Sequence, residues 1–263
     1  MGFEPQESAI EVAGGSLRYL QAGAGPTLLV LHHDIGPSGW TPFHDALASG
    51  FRVIAPDIPG FGLSTRAEWA RHPRDLAALL LAFTRRLGLE HYTLAGLGFG
   101  GWVAAEMAAY APGPLDALIL ASPAGLKPDA EDILDQIMMD PSEYARAGFA
   151  EDETADRFYP RDAFKEHRDR LDAHREAIAR VTWKPYMYSY ELPEILREMQ
   201  APATVVWGTA NRVIPPACAS RWAALLPDCR VRLLDGAGHF LDLERPDELA
   251  RIVREAHSAA REA

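Results

Sequence analysis

Several things are scarce in this chain, and each scarcity narrows what it can be. Its 263 residues include only two cysteines, Cys218 and Cys229, too few for a disulfide framework and at no spacing used by metal or redox motifs. Both fall in stretches that read as core helix and strand, so buried thiols are expected. Cations are in deficit, with 26 Lys and Arg against 37 Asp and Glu for a formal net charge of -11. That balance excludes a basic nucleic-acid surface and disfavours anionic membranes. Long apolar runs are missing too: none approaches the ~20 residues that span a bilayer, and no basic N-terminal segment leads into an apolar one. The expected setting is therefore cytoplasmic, without nucleic-acid or membrane partners.

What is present is ordinary globular material, 48% hydrophobic and 24% charged, enough for one large α/β domain. Short apolar runs alternate with helical patterns, the mark of a mostly parallel sheet covered by helices. The spacing predicts strands at 9–12, 17–21, 27–32, 52–55, 92–96, 117–121, 204–208 and 231–234. The first two form a hairpin across Gly14-Gly15. Helices are predicted at 40–48, 74–87, 99–110, 216–225 and 247–258. Between about 126 and 199 the alternation stops, and the stretch turns charged, helical and rich in aromatics and Met. It reads as a helical cap over the carboxyl edge of the sheet, leaving a core of residues 1–125 and 200–263. That edge is where open α/β sheets bind ligands.

The last scarcity is local. Gly96-Leu97-Gly98-Phe99-Gly100-Gly101 follows an apolar strand and opens a small-residue helix. This is the setting of a G-x-S-x-G nucleophile elbow, yet its tip is Gly98, with no side chain to attack anything. Gly96, Gly98 and Gly101 also satisfy G-x-G-x-x-G, a dinucleotide fingerprint. That motif normally opens the first β-α unit and is answered by an acid after the next strand, where this chain has Ala121-Ser122-Pro123.

Other strand ends decide between the two readings. Leu31-His32-His33-Asp34-Ile35-Gly36 follows the third strand and Ala55-Pro56-Asp57-Ile58-Pro59-Gly60 the fourth. Trp207-Gly208-Thr209-Ala210-Asn211-Arg212 follows the seventh, and Gly236-Ala237-Gly238-His239 the eighth. In order and spacing the chain resembles the α/β-hydrolase-fold superfamily, in its capped esterase, C–C hydrolase and haloperoxidase-like branch. The resemblance implies an α/β-hydrolase fold: an eight-stranded, mostly parallel sheet flanked by helices, with a helical cap insertion.

The resemblance also implies a serine, a carboxylate and a histidine. Carried onto this sequence they fall on Gly98, Asn211 and His239, so only the histidine is intact. Asn211 brings no charge to stabilise an imidazolium, a change that costs about 10⁴ in kcat in serine proteases. His33 stands where the family's first loop carries a glycine. The family's oxyanion donors map to the backbone N–H groups of Phe99 and Asp34. Ser122 is a substitute nucleophile only if it reaches across one strand. The His32-His33-Asp34 cluster could activate water or hold a metal, but three adjacent side chains do not easily face one ion. No metal or cofactor is expected.

His33, Trp183, Tyr186 and Tyr188 are the expected substrate-binding residues, and a small apolar or aromatic molecule the expected partner. Two functions follow. In one, the protein acts on a small apolar carbonyl compound through His239 acid/base chemistry, without a serine acyl-enzyme. In the other, it is an inactive pseudo-hydrolase that binds a small ligand or a protein partner in the old pocket.

Overall fold

A computed structural model of the chain describes residues 2–111, 113 and 115–262, with backbone alone for 164–166. Eight strands, β1 (Gln6–Val12), β2 (Gly15–Ala22), β3 (Thr27–Leu31), β4 (Arg52–Pro56), β5 (Tyr92–Leu97), β6 (Leu115–Ala121), β7 (Ala203–Gly208) and β8 (Cys229–Leu234), form one sheet. Their spatial order is β1-β2-β4-β3-β5-β6-β7-β8. Only β2 runs against its neighbours; every pairing from β4 to β8 is parallel. The β1–β2 hairpin turns at Ala13 and Gly14, both at positive φ.

Strands β5 and β7 are buried at every residue, as expected where helices cover both faces. One face carries α2 (Pro73–Arg86), α3 (Phe99–Tyr110) and α8 (Cys218–Leu225), whose buried side chains share one apolar cluster. The other carries α1 (Pro42–Ala48), the short α9 (Leu241–Glu244) and α10 (Pro246–Glu262). Helix α2 starts on Pro73 with a His72–Asp75 capping box. It buries Leu76, Leu79, Leu80 and Phe83 along one face, the period-3.6 stripe of an amphipathic helix. In α10, Leu249, Ile252 and Val253 are buried, each stabilising the fold by roughly 1.5–3 kcal/mol.

Between β6 and β7 lie α4 (Pro141–Ala147), α5 (Asp152–Phe158), a 3₁₀ turn at Arg161–Ala163, α6 (Phe164–Thr182) and α7 (Leu192–Leu196). Among the described residues this segment adds no strand to the sheet and makes only isolated bridges. Its contacts with the core are mixed. Exposed ion pairs join α6 to the loop after β4, Arg66 to Glu176 and Arg180 to Glu68; such pairs are worth about 0–1 kcal/mol. A tighter link is Gly148, whose carbonyl accepts the His239 N–H at 2.6 Å. No helix among the described residues is long and apolar enough to cross a membrane.

The cysteine expectation needs one correction. Cys218 is buried, but Cys229 is only half-buried, because β8 is the sheet's edge strand and its residues alternate in exposure.

The strand order explains where a site can form. From β3 the chain crosses to β4 on one side, and β5 then returns on the other side of β3. The carboxyl ends of β3 and β5 therefore flank the switch point, where a crevice opens in a doubly wound sheet. Leu31 is in register with Gly96, so His33 and Gly98 face each other across it.

Candidate functional site

Gly98 caps α3 at φ 52°, ψ -115°. This backbone geometry is open to glycine and strained for other residues. Its neighbour Gly100 lies so close to β3 that a Cβ there would meet the carbonyl oxygens of His32 and Leu31. The turn packs helix onto strand, as an elbow requires. A Cβ on Gly98 would lie 2.6 Å from His33 Nδ1, 3.0 Å from His239 Nε2 and 3.5 Å from Asp34 Oδ1. These three atoms are buried and have no hydrogen-bond partner among the described residues. Leaving such atoms unpaired costs about 1–3 kcal/mol each, more for a charge.

Each ring has a defined hydrogen. The Asn211 side-chain oxygen accepts the backbone N–H groups of Val213 (2.9 Å) and Ile214 (3.0 Å). Its amide nitrogen must then donate to His239 Nδ1, 3.1 Å away. His239 is therefore neutral, with its proton on Nε2, turned toward Asp34 Oδ1 at 3.9 Å. Burial pushes its pKa below the ordinary histidine value, with the nearby Asp34 carboxylate opposing. A carboxylate at 211 would have selected the other tautomer, with a basic Nε2. Asn211 makes His239 a hydrogen-bond donor.

His33 is arranged the other way. Its Nε2 lies 2.9 Å from Asp242 Oδ1, so Nε2–H donates to the carboxylate and, in the neutral ring, Nδ1 turns a lone pair toward Gly98. Its ring lies edge-on to Phe240 at 4.9 Å and tilted against His239 at 5.1 Å. Asp34 Oδ2 accepts from the Tyr144 hydroxyl at 2.7 Å and the Gln136 amide at 3.1 Å. Burial raises the Asp34 carboxyl, but His239, Tyr144 and His33 more than offset it and hold the group below its ordinary value. His32 stands apart: Nδ1–H donates to the His33 carbonyl and Nε2 accepts the Ile58 N–H, which pins the loop.

The site thus presents one donor and two acceptors around Gly98. A water molecule, which gives two hydrogens and accepts one, is their complement. The same atoms lie within 4.8 Å of one another, a 2-His-1-carboxylate grouping. They do not make a full metal set, because the proton that Asn211 imposes on His239 Nε2 occupies the third ligand position.

Of the residues expected from sequence, Gly98, Asn211, His239, His33 and Asp34 meet at this point. The N–H groups of Phe99 and Asp34 sit at the elbow and first loop, with no acceptor among the described residues. The aromatic residues expected to bind substrate stand apart from these atoms. Trp183 is 57% exposed and lines no part of this space, because it follows α6 at a surface turn. Tyr188 pairs with Tyr190 near the surface at 3.4 Å. Tyr186 acts indirectly: its hydroxyl accepts the Gln136 N–H and donates to the Leu134 carbonyl, placing the amide that reaches Asp34. Asp242, Gln136 and Tyr144 were not found from sequence. Asp242 follows His239 by three residues, the one local signal; the other two lie in a segment without a motif.

Residues 28–252 match the model of the Alpha/beta hydrolase family. The acetyltransferase component of an acetoin cleaving system from Pseudomonas putida is 31% identical over 94% of this chain and 68% of its own length. A 2-hydroxy-6-oxononadienedioate/2-hydroxy-6-oxononatrienedioate hydrolase from Paraburkholderia phymatum is 27% identical over 90% and 89%. Among solved structures, a membrane phospholipase A superposes with a TM-score of 0.87 at 23% identity, over 98% of this chain and 87% of its own. A 2-hydroxy-6-oxo-6-phenylhexa-2,4-dienoate hydrolase from a Rhodococcus species does so with a TM-score of 0.79 at 22% identity, over 98% and 99%. The sheet order, the elbow turn and these matches agree: the chain belongs to the alpha/beta hydrolase family.

Proposed function

We propose that this protein is an enzyme that acts on a small apolar carbonyl compound without a serine acyl-enzyme. The observation that carries this reading is the set of unpaired atoms around Gly98, one donor and two acceptors, all buried. Such a cradle lowers stability unless something fills it. It matches what water addition to a carbonyl needs. The acceptors face the hydrogens of the attacking water, and the His239 Nε2–H polarises the carbonyl oxygen beside the N–H groups of Phe99 and Asp34. His239 keeps its place in the chemistry but acts as a neutral donor, since a neutral imidazole is a weak acid and its basic nitrogen is taken by Asn211. The relatives that hydrolyse 2-hydroxy-6-oxo-dienoates support carbonyl chemistry on an unsaturated keto acid as the first class to test. The segment between β6 and β7 would serve as a cap, with Tyr144 and Gln136 closing over Asp34.

A second reading rests on that closure. Asp34 and His239 are each about 1% exposed, as in a site that binds and does not turn over.

One comparison separates the two. The native protein is treated with a fluorophosphonate, then assayed on short p-nitrophenyl esters and 2-hydroxy-6-oxo-6-phenylhexa-2,4-dienoate, beside His239→Phe. Expected are no labelling, turnover without a burst, and loss of turnover in the variant. Labelling of the native chain overturns the reading. Ligands that raise the Tm without being converted favour the binding protein.

A further inference from the structure

The geometry points to His33 and Asp242 as a second histidine–carboxylate pair that deprotonates the attacking water, a role that rests on the catalytic reading above. In that reading two acceptors face the water, and they are not equivalent. Asp34 already accepts two hydrogen bonds on Oδ2, which stabilise the anion and weaken it as a base. It has no onward partner for a proton. His33 differs on both counts. Its Nδ1 is bare toward Gly98, and its Nε2–H is held by Asp242 at 2.9 Å with both side chains buried. A carboxylate so placed orients the imidazole and stabilises the imidazolium formed when Nδ1 takes a proton.

The pair also spans the loop. His33 and Asp242 both also line a cleft of about 430 Å³, shared with Arg18, His44 and Asp57, whose rim at Ser38 and Gly39 is exposed. The pair therefore borders both the buried space at Gly98 and a cleft that reaches solvent, which suits a proton shuttle. The family's own pair, at 211 and 239, has lost its charge, while this one sits on the opposite flank of the same elbow.

The step balances without a metal or redox partner. The water oxygen bonds to the carbonyl carbon as its proton passes to His33 Nδ1. The carbonyl π pair moves onto oxygen, facing the Phe99 N–H and His239 Nε2–H. Collapse re-forms the carbonyl, breaks the bond to the leaving group and returns the His33 proton to that group.

Two measurements decide it. On p-nitrophenyl acetate and 2-hydroxy-6-oxo-6-phenylhexa-2,4-dienoate, Asp242→Asn and His33→Gly should each lower kcat about 10²- to 10⁴-fold, with KM within about twofold. Added imidazole should restore turnover to His33→Gly and not to Asp242→Asn, a rescue that a packing role would not show. Unchanged kcat in Asp242→Asn overturns the assignment. The second reads the native protein whatever its turnover: ¹⁵N imidazole spectra should show His33 protonated at Nε2 and bare at Nδ1. A protonated Nδ1 overturns the pair. So does stoichiometric binding of Zn²⁺ alone that is lost in His33→Gly, because the lone pair would then serve a metal. Turnover of neither probe by the native chain defeats the catalytic reading and this role with it; a bare Nδ1 would then leave only the geometry standing.

Discussion

The two flanks of Gly98 have opposite character. On one, the loops after β7 and β8 hold Asn211 and His239, neutral and joined by an amide donating to an imidazole. On the other, the loop after β3 holds His33 and Asp34, and three further groups converge on them: Asp242 from α9, Tyr144 from α4 and Gln136 just before it. The first flank carries no charge; the second carries two buried carboxylates. The changes depend on each other. His33 Nδ1 lies where a side chain at 98 would sit, so it fits only because residue 98 is glycine. Asp34 faces His239 comfortably only because Asn211 keeps a proton on Nε2.

That dependence can be broken, and the largest effect should come from placing a serine at position 98. Gly98→Ser with Asn211→Asp should not label with a fluorophosphonate, because the new Cβ falls 2.6 Å from His33 Nδ1 and overpacking costs about 1–3 kcal/mol. Adding His33→Gly should restore labelling. Labelling of the double variant alone would mean that the two flanks are independent.

Asn211→Asp alone tests the tautomer. The new carboxylate should pull the proton to His239 Nδ1, turning a lone pair or a full imidazolium toward Asp34. We expect turnover to fall at least about 10²-fold, with an Nδ1–H signal in ¹⁵N spectra; an unchanged spectrum would remove Asn211 from the argument. Asp34→Asn separates function from stability. Its oxygen can still accept from Tyr144 and Gln136, while its NH₂ takes the place of Oδ1 near His239, so stability should stay within about 1 kcal/mol while turnover falls at least about 10²-fold. Urea unfolding of the two proteins checks the first half, and a clear loss of stability would make Asp34 structural.

The buried imidazoles around this loop should also set an acid limit. Burial, the largest cause in each case, pushes His32 down to about 3 and His44 down to about 4. Folded values below the unfolded ~6.5 mean that stability is complete above pH ~6.5 and lost as pH falls toward 4. His44 alone accounts for a loss on the order of 3 kcal/mol across that span. Urea midpoints at steps from pH 7 to 4 should fall steadily, and a flat curve down to pH 5 would contradict it. The smallest effect should come from Trp183→Ala, within about 0.5 kcal/mol and silent in turnover because the ring is exposed. Tyr186→Phe should cost about 1 kcal/mol and slow turnover, since its hydroxyl holds Gln136; if Trp183→Ala slows turnover more than Tyr186→Phe, Trp183 belongs to the site after all.

Most of the fold was legible in sequence because apolar periodicity and glycine turns are local signals. All eight strands lie where the apolar runs predicted, with β1, β2, β6, β7 and β8 each starting one to three residues before the predicted bound. In β1 and β8, the strands at the two edges of the sheet, exposed residues such as Glu7 and Arg230 dilute the pattern. The segment between β6 and β7 was legible only as helical. Its residues pack on each other and on the core through spacings that carry no motif, so Tyr144 and Gln136 looked like any polar or aromatic residue.

The amino-acid sequence by itself determined that Gly98 stands at an elbow without a nucleophile, since a glycine in that strand-turn-helix setting has no reactive group in any conformation. It also determined the absence of charge at Asn211. Only the tertiary structure decided what these two residues do together. Hydrogen-bond direction depends on partners distant in the chain: Asn211, oriented locally by Val213 and Ile214, proton-loads His239, 28 residues away, while Asp242, 209 residues beyond His33, holds that imidazole with Nδ1 toward Gly98.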